Sequence, residues 1–407
     1  MARVLLLVPT RTYRTHDFME AARALAIDVV VGSPHRPALA SLMDGRHLHV
    51  DFDALPESVE RIVAFASQHP LDGVVAVDDG GTRLASAAAE RLGLPHNPLA
   101  AVVAASNKVL TRSALQQAGL PTPHFQAFPI ETDPASIASQ LRYPCVVKPV
   151  DLAGSQGVIR ADDASSFRNV FERVARIVRS CARGEQPPLV LVEDFIAGRE
   201  VALEGLLRGA QLEVLAIFDK PDPLEGPFFE ETIYVTPSRL EADLQTAIFE
   251  AAAAATRALG LREGPIHAEL RIHDRGVTVL EVAPRSIGGL CARTLRFGAG
   301  MSLEELILRH AAGLPMPAHV RERAAAGVMM LPIRAAGRLE AVHGQEAARE
   351  VADIESLVLT IPAGEPLVPL PEGDRYLGFL FARSEEPAAV EAALREAFGR
   401  LTVVTGD

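Results

Sequence analysis

The sequence lacks tryptophan, has only three cysteines among 407 residues, and has aromatic residues at 5% of its positions. Cys145, Cys181 and Cys291 are widely spaced and odd in number, so they indicate neither a disulfide framework nor a zinc motif, and a reducing cytoplasm is the expected location. No apolar run approaches the roughly 18 residues that a membrane-spanning helix needs, so we expect no membrane partner. The formal net charge of -12 argues against a nucleic-acid partner, because no stripe of Lys and Arg could neutralise its phosphates.

The rest of the composition is that of an ordinary globular protein, with 48% hydrophobic and 23% charged residues. A chain of this length is expected to hold two or three domains. Through residue 100, short apolar segments alternate with helical patterns, which predicts a small doubly wound α/β domain with a parallel sheet. Its predicted strands are 4–8, 28–31 and 73–77, and its predicted helices are 17–25, 58–67 and one ending near 92. Ligands of such sheets usually bind beyond the strand ends, here at 9–14 and 78–82.

Beyond residue 100 the pattern is mixed, which predicts an α+β architecture. A helix is expected to begin at Asn107-Lys108, and a last α+β segment is expected after Pro315 and Pro317. The other predicted elements are strands 143–150, 189–192 and 401–404 and helices 164–182 and 386–398. The predicted division is an N-terminal domain (1–100), a central domain (101–315, with a lid subdomain at about 120–192) and a C-terminal α+β subdomain (316–407).

Residues 266–282 are the most informative segment of the sequence. Their pattern predicts two short strands joined by a turn. Asp274-Arg275-Gly276 is typical of a three-residue hairpin loop closed by a left-handed glycine, a conformation that costs glycine no Cβ penalty. Such a loop pairs His273 with Val277 and places Glu269 directly opposite Glu281. Alternation then predicts a core face and a polar face, namely Ala268, Leu270, Ile272, Leu280 and Val282 against His267, Glu269, Arg271 and Glu281.

Two carboxylates that face each other across an antiparallel pair repel by up to about 1 kcal/mol unless protons or a cation lie between them. Oxygen ligands of this kind suit Mg²⁺, which commonly takes one or two protein carboxylates and completes its octahedron with water and phosphate oxygens. The alternative, from the residues alone, is a solvated hairpin edge with two unrelated glutamates.

Two further segments carry groups that could bind a nucleotide. Lys148 ends a predicted strand just before the glycine-containing loop 151–157, where its charge and the backbone N–H groups could meet a phosphate. No Walker A sequence follows, and an ordinary hairpin loop is the alternative. The strand 189–192 runs into residues 193–196, whose backbone could bind a planar heterocycle between apolar walls, or could simply be an exposed polar strand end.

In order and spacing, these elements resemble the ATP-grasp superfamily of carboxylate–amine ligases. The matching segments are Asn107-Lys108, Val146-Val147-Lys148-Pro149, Gly154-Ser155-Gln156-Gly157-Val158, Glu193-Asp194-Phe195-Ile196 followed by Glu200, Phe218-Asp219-Lys220, Glu269, and Glu281-Val282-Ala283-Pro284-Arg285. They span roughly residues 100 to 315, and the first 100 residues resemble the domain that commonly precedes an ATP-grasp module. The resemblance implies an ATP-grasp fold, in which two α+β subdomains clamp ATP.

The resemblance also implies which residues bind ATP. The phosphates would contact three lysines, Lys108, Lys148 and Lys220, and a mobile loop would close over them, formed by Gly154, Ser155, Gln156 and Gly157. The adenine would bind to the hinge, formed by Glu193, Asp194, Phe195 and Ile196, and the ribose would contact Glu200. Glu269 and Glu281 would hold Mg²⁺, with Mn²⁺ as an alternative. Arg285 would face the transferring phosphoryl group and, with Lys148, act in catalysis.

Two features of the family pattern bear on the branch. Ala283 stands where many members have a metal-binding Asn, but ligases that join amino acids and the Glu-x-Ala-Pro-Arg pattern of purine-biosynthetic members share this omission, so it does not separate the two. Ser286-Ile287-Gly288-Gly289-Leu290 replaces the His-Asn-Ser-Gly type run of purine-biosynthetic members, which favours the L-amino acid ligase branch. The implied reaction joins a carboxylate, an amino acid by this resemblance, to an amine through an acyl phosphate, with ADP and phosphate released.

Two alternatives remain open from the sequence: an ATP-grasp enzyme acting on a purine-pathway or bicarbonate-type substrate, and a non-catalytic ATP-binding module. The expected partners are a small-molecule acid and amine and, by analogy only, a second copy of the chain in a homodimer.

Overall fold

The structure, a computed structural model, describes residues 1–35, 46–181 and 187–406, so residue 182, the predicted end of the long central helix, lies outside the described residues. The helices are α1 (Thr15–Ala24), α2 (Leu55–Gln68), α3 (Thr82–Leu92), α4 (Leu99–Ala105), α5 (Lys108–Gln117), α6 (Pro134–Ile137), α7 (Ala164–Cys181), α8 (Ala242–Leu259), α9 (Leu303–Ala311), α10 (Gln345–Arg349) and α11 (Pro387–Gly399). The strands are β1 (Arg3–Leu7), β2 (Asp28–Ser33), β3 (His47–His49), β4 (Gly73–Ala76), β5 (Phe125–Pro129), β6 (Cys145–Pro149), β7 (Ile159–Ala161), β8 (Leu189–Asp194), β9 (Arg199–Arg208), β10 (Gln211–Asp219), β11 (Ile233–Thr236), β12 (Gly264–His273), β13 (Gly276–Ala283), β14 (Arg296–Phe297), β15 (Met301–Ser302), β16 (Ala325–Leu331), β17 (Gly337–His343), β18 (Ile354–Leu359), β19 (Pro366–Leu367), β20 (Gly378–Ser384) and β21 (Thr402–Gly406).

The N-terminal strands form a parallel sheet in the order β3-β2-β1-β4. Leu5 and Leu7 of β1 pack against α2 and α3, while Val4 and Leu6 pack on the opposite face toward α1 and α9. A strand covered on both faces must be apolar throughout, and this is why its sequence is a continuous apolar run. The predicted doubly wound domain is confirmed. Strand β3 was not predicted, because three residues with two histidines carry no clear pattern.

The second sheet is antiparallel, in the order β5-β8-β6-β7. The long helix α7 covers one of its faces with Phe167, Phe171 and Val174, whose spacing of three to four residues places them on one side of the helix. Lys148 lies in β6 and Glu193 in β8, so the sheet fixes both predicted nucleotide contacts in adjacent strands.

The third sheet contains eight strands in the order β13-β12-β9-β10-β11-β16-β20-β18. Tyr234 of β11 lies opposite Val328 of β16, so this sheet continues past residue 315, where the sequence predicts a domain boundary. The predicted α/β and α+β fold class is confirmed, whereas the division at residues 100 and 315 stays a prediction. No helix in the described part of the chain is long and apolar enough to cross a bilayer.

The hairpin of β12 and β13 differs from its predicted geometry at the turn. His273 pairs with Gly276, so the loop has two residues, and the predicted three-residue loop is wrong. The extra residue lies instead at Leu280, because Val279 opposes Leu270 while Glu281 opposes Glu269. This β-bulge returns the two strands to the predicted register.

The bulge also changes which side chain enters the core. Leu280, predicted on the core face, lines a cavity instead, and Val279 takes the buried position. A bulge places two consecutive residues opposite one, so strict alternation fails at that point. The facing of Glu269 and Glu281 is confirmed, and the position of Leu280 is a correction.

Candidate active site

A cavity of about 520 Å³ lies where the N-terminal sheet, the antiparallel sheet of β5 to β8 and the polar face of β12–β13 meet. This is an ordinary volume for a small-molecule site. It collects most of the predicted site residues, namely Lys108, Lys148, Gly154, Ser155, Gln156, Glu193, Asp194, Phe195, Ile196, Glu200, Glu269, Glu281 and Arg285. Gly157 and Lys220 are not part of its lining within the described residues.

Glu269 and Glu281 face the cavity with about a quarter and a third of their side chains exposed. Lys108 Nζ lies 3.4 Å from Glu281 Oε2, and Glu269 Oε1 lies 3.5 Å from His267 Nε2 and 3.7 Å from Lys220 Nζ. Burial opposes ionisation of Glu269, but Lys220 and His267 more than offset it and hold the pKa of this carboxyl well below its ordinary range. Two accessible carboxylates opposite each other fit a Mg²⁺ site. Ala283 is buried and offers no ligand atom from its side chain.

His267 is buried between Glu204 and Glu269, one of the two carboxylates predicted to bind the metal. Its Nδ1 lies 2.5 Å from Glu204 Oε1, and Glu204 Oε2 accepts a hydrogen bond of 3.0 Å from the Ile287 N–H. Burial disfavours the imidazolium, but the carboxylates of Glu204 and Glu269 outweigh burial and raise the pKa of His267 to about 9. A protonated His267 can therefore donate its Nδ1–H to Glu204, and its positive charge lies beside Glu269.

Lys148 belongs to a buried cluster with more positive than negative charge. Its Nζ lies 2.5 Å from Glu193 Oε1, and Arg112 donates to both Glu193 oxygens at 2.9 and 3.2 Å. Burial lowers the pKa of Lys148 to about 8, and Arg112 and Lys108 add to this effect, while Glu193 opposes it. Because one carboxylate faces two cations here, an anion in the cavity would relieve the repulsion between them, as expected for a phosphate site.

The glycine loop after Lys148 is held by the C-terminal part of the chain. Gly154, Ser155 and Gly157 all have positive φ, which explains the two glycines. The Gly157 N–H donates to Pro371 O at 2.9 Å, and Gln156 Nε2 donates to Glu372 O at 2.8 Å. The Glu372 carboxylate in turn accepts two hydrogen bonds from Arg173 of α7, at 2.7 and 2.9 Å. Gly157 therefore anchors the loop, which explains its absence from the cavity wall.

The hinge at residues 193–196 lies beside an apolar slot formed by Val146, Phe195, Phe229 and Leu280. The Phe195 N–H donates to Pro144 O at 3.0 Å, so the hinge backbone is fixed. Arg160 lies over the Phe195 ring, with its guanidinium carbon 4.4 Å from the ring centroid. A slot with aromatic walls and a fixed backbone edge suits an adenine ring.

Lys220 lies behind the cavity wall, within a group of carboxylates. Its Nζ donates to Glu200 Oε1 at 2.7 Å, donates to Glu231, and lies 3.7 Å from Glu269. Burial disfavours its charge, but the three carboxylates outweigh burial and raise the pKa of Lys220. The oxygens of these carboxylates come within 4.8 Å of one another, and the Lys220 ammonium forms an ion pair with each of the three residues. Direct contact of Lys220 with a phosphate stays a prediction.

The N-terminal domain contributes the opposite wall of the cavity. Asp79 Oδ2 lies 2.8 Å from Arg285 Nη2, and this ion pair joins the loop after β4 to the loop after β13. Burial opposes ionisation of Asp79, but Arg285 outweighs it and holds the pKa of Asp79 below its ordinary value. Asp78 also faces the cavity, and burial raises its pKa.

The sequence assigned no individual role to Arg112, to Glu231 or to the contact of Arg271 with the hinge. Asp79 and Arg14 lie in the loops 78–82 and 9–14, where ligand binding was predicted, but their individual contacts were not predicted. Arg112 had a usable signal, because it follows Lys108 by four residues and so shares its face of α5. Arg271 was placed on the polar face, and the structure shows its Nη1 donating to Ile196 O at 2.7 Å.

Comparisons with known proteins agree with this geometry. Residues 141–294 match the ATP-grasp domain family, residues 19–96 the ATP-grasp N-terminal domain, and residues 329–406 the L-amino acid ligase C-terminal domain 2. The chain therefore contains an ATP-grasp domain, an ATP-grasp N-terminal domain before it and an L-amino acid ligase type of C-terminal domain after it.

Comparisons with individual proteins indicate which branch of the superfamily this chain resembles. The structure of an L-amino acid ligase from Bacillus licheniformis superposes with a TM-score of 0.84 at 26% identity, covering 100% of this chain and 99% of that one. The alanine–anticapsin ligase of Bacillus amyloliquefaciens is 27% identical over 64% of this chain and only 58% of its own length. The D-alanine–D-alanine ligase of Cupriavidus pinatubonensis is 27% identical over 57% of this chain and 72% of its own. Within the superfamily, this chain resembles the L-amino acid ligase branch.

We expect Glu281→Gln to keep the fold and remove most Mg²⁺-dependent ATP turnover. The substitution deletes one charged oxygen ligand at nearly constant volume, and it also relieves the repulsion from Glu269, so the unfolding free energy without metal should change by less than about 1 kcal/mol. Turnover across a Mg²⁺ titration and thermal unfolding with and without Mg²⁺ and ATP would measure both effects. Wild-type turnover in the variant would contradict the metal assignment.

Glu372→Gln should loosen the glycine loop, because it removes the charge that holds Arg173. A partly exposed ion pair contributes up to about 1 kcal/mol, so proteolytic cleavage within residues 153–158 should accelerate by roughly 1.5- to 5-fold without nucleotide. Glu396→Gln, which breaks an exposed pair with Arg400 on α11, is the matched control. Equal cleavage rates in the two variants would show that the C-terminal contact does not hold the loop.

Proposed function

We propose that this protein is an ATP-dependent ligase that joins the carboxylate of an amino acid to an amine, forming a peptide-like bond with release of ADP and phosphate. The observation that carries the proposal is the continuity of the cavity. The hinge, Lys108, Lys148 and the facing carboxylates line it on the nucleotide side. Asp78, Asp79 and Arg285 line it on the side of the N-terminal domain.

The nucleotide would lie with its adenine in the slot beside Phe195 and its phosphates near Lys108, Lys148 and the loop of Gly154 to Gln156. Glu200 is a candidate for the ribose, although its two oxygens already accept from Lys220 and Arg271 at 2.7 and 2.6 Å. A magnesium ion held by Glu269 and Glu281 would supply charge neutralisation for the transferring phosphoryl group.

The chain itself contributes charge and position rather than a nucleophile. An oxygen of the acid attacks the γ-phosphorus, the bond to ADP breaks, and an acyl phosphate forms. The amine nitrogen then attacks the acyl carbon, phosphate leaves with that oxygen, and the amine loses a proton. Arg285, fixed by Asp79, is preorganised where negative charge develops.

The cavity has no thiolate suited to covalent catalysis in the part of the chain that the structure describes. All three cysteines are described and are free thiols, and of these Cys291 lies in the cavity wall. Burial raises its pKa well above that of an ordinary thiol, so it is protonated and unreactive near neutral pH. This supports direct phosphoryl transfer to the substrate carboxylate.

An acidic group on the side of the N-terminal domain favours substrates that carry an ammonium group. Asp78 faces the cavity, and burial raises its pKa. A bound cation would oppose this shift, because an opposite charge nearby favours the ionised carboxylate. A purine-pathway or bicarbonate-type substrate is the second candidate, since solved structures of such enzymes share the fold, but at 13–17% identity they carry no further argument.

The proposal includes Mg²⁺ as the metal and a cytoplasmic location, which suits three free cysteines. A homodimer stays a prediction.

The reaction is tested by incubating the protein with ATP, Mg²⁺ and a matrix of amino acids and simple amines. ADP formation should be slow with ATP alone and rise when a suitable acid and amine are both present, and mass spectrometry should detect the condensed product. Formation of AMP and pyrophosphate would contradict the mechanism. Turnover with bicarbonate or a purine ribotide, with every amino acid inactive, would favour the second candidate.

A further inference from the structure

Arg14 is almost fully buried, at 1% exposure, and lies just before α1, behind the wall of the cavity. Its Nη1 donates to Val77 O at 2.8 Å, and its Nη2 donates to Ser286 Oγ at 2.6 Å. These acceptors lie in loops that follow strands of different sheets, because Val77 follows β4 and Ser286 follows β13. One guanidinium therefore joins the N-terminal domain to the ATP-grasp domain.

The two acceptors flank the ion pair of the candidate active site. Val77 leads directly into Asp78 and Asp79, and Ser286 directly follows Arg285. Arg285 Nη2 lies 2.8 Å from Asp79 Oδ2, and Arg285 Nη1 donates to Ser286 O at 3.0 Å. The contacts form a closed ring, in which Arg14 binds the Val77 carbonyl on one side of the Asp79–Arg285 pair and the Ser286 hydroxyl on the other.

The contacts of Arg14 do not suit a residue whose only role is to stabilise the fold. Its counter-ion, the buried Glu304, is 3.6 Å away, and Arg14 Nε and Glu304 Oε1 have no hydrogen-bond partner among the described residues. A buried ion pair with incomplete hydrogen bonding commonly stabilises less than apolar side chains of similar volume. The gain from Arg14 lies instead in its fork, since a planar guanidinium can bind two acceptors in one fixed geometry.

We propose that Arg14 is a positioning residue for the ligase reaction: it fixes the loop after β4 relative to the loop after β13, so that Asp79 and Arg285 form one rigid edge of the substrate site. The catalytic consequence depends on the proposed function, whereas the structural consequence can be measured on the protein without substrates.

The first test is hydrogen exchange of the substrate-free protein. Arg14→Lys keeps the charge near Glu304 but loses the fork, and Ser286→Ala removes one acceptor without altering charge. Both should accelerate exchange in residues 78–82 and 285–289 together. Arg293→Lys is the matched control, because Arg293 pairs with Asp17 of α1 at 2.8 and 2.9 Å across the same domain junction but contacts neither loop. Should Arg14→Lys fail to fold, Ser286→Ala carries the same test.

The second test separates positioning from stability by kinetics. Arg14→Lys should lower kcat by roughly 10- to 100-fold, as for a misplaced catalytic group, with the dissociation constant for ATP changed by less than about 2-fold. In an Asp79→Asn background the same substitution should have a much smaller effect, because the pair that it positions is already broken.

Additive effects in that double-mutant cycle, or equal exchange changes in Arg14→Lys and Arg293→Lys, would overturn the proposal. Absence of any ligase turnover in the wild-type protein would contradict the proposed function instead, and the exchange experiment would still decide the role of Arg14.

Discussion

The candidate active site depends on the antiparallel pairing of β12 and β13, which holds Glu269 and Glu281 opposite each other on the cavity side. Two like charges in this position are unfavourable by themselves. Lys108, His267 and Lys220 flank them, and Arg285 follows in the loop after β13. Cations from α5, from β12 and from the segment after β10 thus offset the concentrated negative charge of the hairpin.

The same alternation of charge extends through the cavity. Arg112 and Lys148 share Glu193, Lys220 is held by Glu200 and Glu231, and Arg285 is held by Asp79. Each cation is therefore oriented before any substrate arrives, and little reorganisation is needed when phosphate charge enters. This is the arrangement that phosphoryl transfer requires, because its catalysis is mostly positioning and electrostatic stabilisation.

Local patterns in the sequence predicted much of this site. The apolar runs located β1 and β4, and Asn107 was recognised before α5, where its side chain accepts from the N–H groups of Val109 and Leu110. The facing of Glu269 and Glu281 was predicted correctly although the turn was wrong. The actual loop is one residue shorter than the predicted one, and the bulge at Leu280 adds one residue to β13, so the two differences cancel before Glu281. Such a bulge depends on packing against the cavity, which no residue count reveals.

Contacts between distant segments could not be predicted in the same way. Arg14 meets Ser286 and Gln156 meets Glu372 across hundreds of residues, and their partners depend on how whole sheets are placed. The anchoring of Gly157 to Pro371 likewise required the C-terminal segment to be positioned first.

Isotope transfer tests most directly whether this cavity transfers a phosphoryl group to a carboxylate oxygen. An acid substrate labelled with oxygen-18 in its carboxylate would be incubated with ATP, Mg²⁺, the amine and the protein, and the released phosphate would be analysed by mass spectrometry. Phosphoryl transfer to the carboxylate predicts one labelled oxygen in each phosphate formed. Unlabelled phosphate accompanied by amide product would contradict this mechanism.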